Sequence, residues 1–126
     1  MADERRAYKH LKKLFPAAHF QRLETWTGVG IFDANACHKG VEAWVECKDV
    51  EEPKRLTTQI KSHKVRPAQI AWEAARRNAG GRTFVGLMVG RRFYLLPGSC
   101  LVELRDGMSR DRLTEAALNP ENLFIR

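Results

Sequence analysis

The sequence predicts an α/β fold in which helices flank a sheet of five strands. Three strand-like runs follow one another at 19–25, 29–37 and 41–48, and the turn formers Thr27-Gly28 and Lys39-Gly40 separate them. One helical pattern precedes these runs, and a second separates them from two further strands and a last helix. The predicted order of elements is therefore α-β-β-β-α-β-β-α.

The first predicted helix begins near Asp3, which can cap it, and ends before Pro16. Its apolar residues recur at helical spacing and share one face: Ala7, Tyr8, Leu11, Leu14 and Phe15. Because one face is apolar, this helix should pack on the sheet.

The second predicted helix begins at Pro67, which suits a first helical position, and ends at Gly80-Gly81. Its expected buried stripe consists of Ile70, Ala71, Ala74 and Ala75. Before it, residues 49–66 are polar and highly charged without a clean period. The pattern predicts no defined structure for them, and a connection of that length favours a functional role.

The last third of the chain predicts a hairpin and a short helix. Strands at 83–89 and 92–96 are separated by Gly90-Arg91, which suits a tight turn. Ser109 can cap a helix that continues to Leu118.

The chain length and composition predict one globular domain that spans residues 1–126. The longest apolar runs are far too short to cross a membrane, and the first residues do not resemble a signal peptide, so a cytoplasmic location is expected. Cys37, Cys47 and Cys100 include no CxxC pair, which favours reduced, structural thiols. Twenty-two Lys and Arg against 15 Asp and Glu give a net charge of +7, which favours a polyanionic partner.

The hairpin around Lys39-Gly40 gathers charged side chains on one face. A two-residue turn there places Asp33 opposite Glu46, with Cβ atoms about 5 Å apart. Since side chains alternate along a strand, Lys48 joins them, together with Asn35 and Trp44. The other face should be apolar and pack on the core: Phe32, Ala34, Ala36, Val45 and Cys47.

Opposed carboxylates destabilise a strand pair unless a cation lies between them. A hard divalent ion with oxygen ligands fits Asp33 and Glu46 best, and Mg²⁺ is the natural candidate, with Mn²⁺ as a substitute. Such an ion with Lys48 beside it can support phosphodiester hydrolysis. The same residues also suit an ordinary solvated hairpin face, and these three alone do not decide between the two interpretations.

The strings Gly30-Ile31-Phe32-Asp33 and Trp44-Val45-Glu46-Cys47-Lys48 resemble the PD-(D/E)XK nuclease superfamily. The segment from Arg66 to Trp72 is similar to the start of the second helix in its VRR-NUC branch and phage-encoded relatives, and Arg22-Leu23-Glu24 is similar to the same branch. The resemblance covers about residues 4–96 and implies a restriction-endonuclease-like αβββαβ core with a central mixed sheet. One departure is Phe32, where the family has Pro.

The resemblance also implies roles for individual residues. Asp33, Glu46 and the carbonyl of Cys47 would hold the metal, Lys48 would position the attacking water, and Gln69 would lie near that water or the phosphate. In this superfamily a Glu from the first helix often joins the site, and the candidates here are Glu4 and Glu24. The sequence does not decide between these two.

Basic residues crowd the segment that precedes the second helix and are expected to bind DNA phosphates: Lys54, Arg55, Lys61, Lys64 and Arg66. No base-reading module is recognisable, so cleavage should follow DNA structure rather than sequence. Relatives in the VRR-NUC and Holliday-junction-resolvase branches act on branched DNA, and a symmetric junction requires two active sites, which predicts a homodimer. The resemblance suggests a phage or bacterial origin.

The resulting prediction is a Mg²⁺-dependent endodeoxyribonuclease without an organic cofactor or a membrane association. The alternative is a non-catalytic nucleic-acid-binding domain on the same fold, although such a domain has no need of opposed carboxylates. A basic protein-interaction module is a third reading, and it predicts no Mg²⁺ binding.

Overall fold

The computed structural model of the chain describes residues 5–23 and 30–126. Within these ranges the helices are α1 (Arg5–Leu14), α2 (Pro67–Asn78), α3 (Leu101–Asp106) and α4 (Arg110–Ala116). The strands are β1 (His19–Arg22), β2 (Ala34–His38), β3 (Val41–Val50), β4 (Thr83–Val89) and β5 (Arg92–Pro97). Short 3₁₀ turns cover Gly98–Cys100 and Pro120–Phe124.

The five strands form one mixed sheet in the order β1-β2-β3-β4-β5. β3 and β4 run parallel, and all other neighbours are antiparallel. Parallel neighbours require a crossover connection, which α2 supplies between β3 and β4. The predicted α/β fold with helices flanking a mixed sheet is confirmed.

The turn at Lys39-Gly40 sets the register that the sequence predicts. Both residues have positive φ, 50° for Lys39 and 79° for Gly40, as in a two-residue type I′ turn. Ala34 pairs with Val45 and His38 with Val41, so continuing this register by one residue places Asp33 opposite Glu46.

Two hydrophobic clusters lie on opposite faces of the sheet. On one face α1 packs through Ala7 and Leu11 onto Ala34, Ala36, Val45 and Cys47, as the alternation predicts. Phe32 was expected in this group and lies in the other cluster instead, where its ring is 5.0 Å from that of Trp72. The expectation was wrong because Phe32 precedes β2, so strand alternation does not govern its direction.

The predicted apolar faces of the helices need two corrections. Leu14 at the end of α1 is 43% exposed, so the buried face of this helix is shorter than predicted. α2 begins at Pro67 as expected, and Ile70 of the predicted stripe is partly buried against a hydrophobic cluster. Ala71 and Ala75 are exposed, Ala74 is only partly buried, and the fully buried residues are Gln69 and Glu73. The reason is that α2 packs its polar side onto hydrogen-bonding groups of β3 and β4.

Residues 51–66 form a turn-rich connection that is anchored to the body of the protein. Ile60 is buried and forms a two-way backbone bridge with Met108, and the N–H of Ser62 donates to the carbonyl of Leu104. The sequence did not predict α3, which supplies the second anchor. The hydroxyl of Ser109 accepts from the N–H of Arg112 at 3.0 Å, which confirms the predicted cap of α4.

No helix in the described ranges is both long enough and apolar enough to span a membrane.

Candidate active site

Two hydrogen bonds connect Asp33, which directly precedes β2, with the part of β3 that contains Glu46. The backbone N–H of Asp33 donates to Oε1 of Glu46 at 3.2 Å, and the backbone N–H of Cys47 donates to Oδ1 of Asp33 at 3.1 Å. Each carboxylate is thereby fixed by the backbone next to the other. Glu46 is 2% exposed, and Asp33 is partly exposed. The site is therefore preorganised and reachable from the Asp33 side.

Lys48 projects from the same face of β3 and is 1% exposed, which is unusual for a lysine. Its Nζ lies 3.3 Å from Oε2 of Glu46. The same ammonium donates to the carbonyl of Lys64 at 3.0 Å and to Oε1 of Gln69 at 3.3 Å. A buried ammonium requires such partners, so Lys48 is held in one position beside Glu46.

Gln69 joins the carboxylate and the ammonium from the first turn of α2. Its Nε2 donates to Oε2 of Glu46 at 3.0 Å, while its Oε1 accepts from Lys48. Oε1 also accepts from the backbone N–H of Arg66 at 3.0 Å, which satisfies an N–H group just before the helix. Gln69 therefore orients the site and caps α2 at the same time.

Gly30 allows α2 to come this close to the hairpin. Its φ is +75°, and a Cβ at this position would lie 2.2 Å from the carbonyl carbon and oxygen of Ala68 and 2.6 Å from the N of Gln69. A side chain at Gly30 would push away the turn of α2 that carries Gln69. The geometry of the site thus depends on this backbone contact.

The donor set fits a hard divalent cation. The two carboxylates and one ammonium carry a formal charge of −1 (two negative and one positive) in a largely buried site. The N–H of Cys47 points to Asp33, and because the N–H and C=O of a strand residue point to the same side, its carbonyl oxygen also faces this side of β3. Asp33, Glu46 and this carbonyl offer only oxygen atoms, which Mg²⁺ and Mn²⁺ prefer.

The Cys47 thiol lies on the opposite face of β3, packed with Ala7 and Leu11 of α1. Burial raises the pKa of this thiol well above its usual range, and the nearby charges of Asp33 and Glu46 raise it further. The thiol stays protonated at neutral pH, so it does not act as a thiolate ligand.

The five basic residues predicted to bind DNA are all exposed, and Lys64 and Arg66 also connect to the site through their backbones. A depression of about 460 Å³ lies beside them and is lined by Lys61, Lys64 and the end of β3. Lys54 and Arg55 lie farther out, in the turn that the N–H of Thr58 closes onto the carbonyl of Arg55.

Glu4 and Glu24, the two candidates for an auxiliary carboxylate, lie outside the described residues. Within the described ranges, no group of three or more His, Cys, Asp and Glu side chains could hold a metal ion.

Sequence reasoning missed two contributors near the site. The carbonyl of Lys64 holds Lys48, and a backbone acceptor leaves no mark on a sequence pattern. The second is Arg22 at the end of β1, opposite Ala34. Its positive charge acts to lower the pKa of Cys47 and of Tyr8, against the larger effect of burial. The pKa of Tyr8 is raised mainly by burial, and the negative charge of Asp33 raises it further.

No protein-family model matches this chain, and no curated protein matches it. Solved structures do match, and one of them is the Holliday junction resolvase Hjc of Archaeoglobus fulgidus, with a TM-score of 0.59 and 15% identity. The match covers 94% of this chain and 98% of the resolvase chain. At this identity the similarity establishes the fold, a restriction-endonuclease-like mixed sheet flanked by helices.

Proposed function

We propose that this chain is a metal-dependent DNA endonuclease whose active site consists of Asp33, Glu46, Lys48 and Gln69. The single observation that carries the proposal is the buried contact of Lys48 Nζ with Glu46 Oε2 at 3.3 Å, to which Gln69 also donates at 3.0 Å. A lysine beside a metal-binding carboxylate suits hydrolysis of a phosphodiester. Asp33, Glu46 and the Cys47 carbonyl are the proposed metal ligands.

A bound Mg²⁺, or Mn²⁺ in its place, would withdraw charge from the scissile phosphate and favour deprotonation of the attacking water. Lys48 would donate a hydrogen bond to that water or to a phosphate oxygen, in exchange for one of the acceptors that now hold its ammonium, such as the carbonyl of Lys64 or Oε1 of Gln69. Gln69, which is hydrogen-bonded to both Glu46 and Lys48, would hold these two side chains in place during this exchange. The chemistry requires no organic cofactor.

The proposed substrate is branched DNA. The basic segment beside the site can bind phosphates, and phosphate contacts position a nuclease without reading sequence. The resolvase of the same fold is named for its action on Holliday junctions. A junction requires two cuts, so we propose a homodimer that carries two of these sites. Membership of the VRR-NUC branch and a phage origin stay predictions.

The auxiliary carboxylate of the site is proposed to be Glu4 or Glu24. Glu4→Gln and Glu24→Gln, assayed side by side for cleavage, separate the two candidates. Loss of activity in one variant identifies it, and full activity in both rejects both.

The deciding experiment compares cleavage of labelled four-way junction, flap and plain duplex DNA with Mg²⁺, with Mn²⁺ and with EDTA. We expect cleavage with either metal, faster on branched DNA, and loss of at least about a hundredfold in Lys48→Ala. Lys13→Ala, an exposed lysine of α1, is the matched control. Binding of every DNA without cleavage would instead favour the non-catalytic DNA-binding domain, and absence of DNA binding would favour the protein-interaction module.

A further inference from the structure

A second concave surface lies next to the proposed active site. It is an open groove of about 770 Å³ between the β2–β3 hairpin, the end of α2 and the C-terminal residues. Its lining contains three arginines and one carboxylate, so it is cationic overall: Arg76, Arg82, Arg126 and Glu42. Trp44 supplies an aromatic wall. None of these residues belongs to the proposed catalytic set.

Trp44 and Arg76 form a cation–π pair at this groove. The guanidinium carbon of Arg76 lies 5.2 Å from the ring centroid of Trp44 and 5.8 Å from that of Trp72. The centroids of the two indole rings are 5.4 Å apart, and their planes are inclined at 67°. Arg76 is exposed, and both indoles are half-buried. The pair therefore offers planar groups that a ligand can reach.

Gly81 leaves room for the Arg76 side chain at this surface. A Cβ at Gly81 would lie 2.8 Å from Cγ of Arg76, so a side chain there would displace the guanidinium from the indoles. The C-terminal wall of the groove is fixed by Arg82, whose guanidinium donates to the carbonyls of Glu42, Asn122, Leu123 and Ile125. Arg82 therefore shapes the groove, whereas Arg76 presents its guanidinium to a ligand beside Trp44.

Two elements that line the groove, β3 and α2, also carry residues of the active site. Trp44 and Glu46 lie on the same face of β3, about 7 Å apart along the strand. Gln69 and Arg76 are separated by two turns of α2, or about 10 Å. Phe32, which precedes Asp33 in the chain, contacts the Trp72 ring that lies beneath Arg76. A nucleotide next to the phosphate at Glu46 would therefore reach Trp44 and Arg76.

We infer that this groove binds an unpaired nucleotide of the DNA strand being cut, with its base stacked on Trp44 and Arg76. Indole and guanidinium planes are the groups that proteins use to stack exposed bases, and the positive lining suits the phosphates beside them. Bases inside a duplex are already stacked and cannot use this surface. The inference rests on the proposed function, since it takes DNA as the substrate. Among branched substrates it favours those that present an unpaired nucleotide beside the cleavage site.

The test measures binding in EDTA, so that cleavage does not interfere. The probe is a gapped duplex that carries, in its single-stranded gap, a fluorescent adenine analogue whose emission falls when it stacks; an intact duplex of the same sequence is the reference. We expect the wild type to quench the probe. Arg76→Ala should weaken binding to gapped DNA roughly tenfold, the size of one stacked base, and should leave duplex binding nearly unchanged.

One further variant separates the effect of stacking from that of charge, and a second is a control. Arg76→Lys keeps the charge without the planar guanidinium, so we expect it to behave like Arg76→Ala in quenching. Arg91→Ala removes an exposed arginine at the opposite end of β4 and should bind both DNAs like the wild type.

The inference is overturned if the probe emission does not change on binding, if Arg76→Lys retains full quenching, or if gapped and intact DNA lose affinity equally. Competition by polyglutamate as effective as that by oligothymidylate would also overturn it, because the groove would then be a site for acidic peptides. A wild type that quenches the probe but cleaves no DNA with Mg²⁺ would support the groove and reject the proposed function.

Discussion

Gln69 on α2 donates a hydrogen bond at 3.0 Å to the same carboxylate oxygen of Glu46 that lies 3.3 Å from the ammonium of Lys48. All three residues are at most 5% exposed. A buried carboxylate and ammonium stabilise each other only while both are present, since either alone keeps its desolvation cost. The site is therefore a unit that links the β2–β3 hairpin to α2.

Removing Lys48 should destabilise the fold as well as stop catalysis. In EDTA we expect Lys48→Met to lower the free energy of unfolding by about 3 kcal/mol, because it removes the ammonium that lies 3.3 Å from the buried Glu46 carboxylate. The matched control is Arg105→Met, which removes an exposed pair with Asp106 and should cost less than about 1 kcal/mol. Urea unfolding measures both. Equal small losses would show that the Lys48 pair contributes nothing to stability.

Metal binding should stabilise the protein through Asp33 and Glu46. At a Mg²⁺ concentration about a hundred times its Kd, the expected gain is about 2.7 kcal/mol, visible as a higher Tm. Asp33→Asn and Glu46→Gln should each abolish the gain in stability. The control is Glu42→Gln, which changes an exposed residue on β3 and should keep the gain. A full Mg²⁺ effect in Asp33→Asn would remove Asp33 from the ligand set.

A side chain at Gly30 should displace α2 from the hairpin. Gly30→Ala and Gly40→Ala both place alanine at positive φ, but only the Cβ at Gly30 meets other atoms within 4 Å. We expect Gly30→Ala to cost about 2 kcal/mol more than Gly40→Ala, the usual size of an overpacking penalty, and to reduce cleavage by misplacing Gln69. Thermal unfolding and cleavage rates measure the difference. Identical costs would show that the contact with Ala68 is easily relieved.

Alkaline pH should destabilise the protein through its buried thiols. Burial raises the pKa of Cys47 well above its usual range and that of Cys100 to about 11. From about pH 8.5 the unfolded chain loses thiol protons that the folded chain retains, so the unfolded state binds fewer protons and stability falls as pH rises. Each thiol contributes a slope of at most about 1.4 kcal/mol per pH unit.

The measurement of this slope is urea unfolding between about pH 8 and 11, where both thiols differ from the unfolded chain. Cys47→Ala should make stability fall less steeply between neutral and alkaline pH than in the wild type, because the variant lacks the thiol whose pKa burial raises in the folded chain. A curve unchanged by Cys47→Ala would contradict the raised pKa.

The basic segment should control the salt dependence of DNA binding. If Lys61 and Lys64 each neutralise one phosphate, their alanine variants should each reduce the slope of log K against log salt by about 0.9. Lys13→Ala, on α1 and across the sheet from the site, should leave the slope unchanged. Slopes unaffected by either segment variant would place the DNA elsewhere.

The sequence by itself determined the sheet and the hairpin at its centre. Lys39-Gly40 permits a tight turn with two positive φ angles, and strand alternation then fixes which side chains share a face. These are local rules, so the opposition of Asp33 and Glu46 and the position of Lys48 could be predicted from a single chain.

Only the tertiary structure decided which face of α2 is buried and which groups complete the site. The apolar pattern predicted a stripe of Ile70 and alanines, yet Gln69 and Glu73 are buried because hydrogen-bond acceptors and donors on β3 and β4 compensate them. Tertiary structure alone also brings the carbonyl of Lys64 to the ammonium of Lys48 and the guanidinium of Arg76 to the ring of Trp44. A polar residue is buried when distant partners satisfy it, and the identity of those partners is not written in the local sequence.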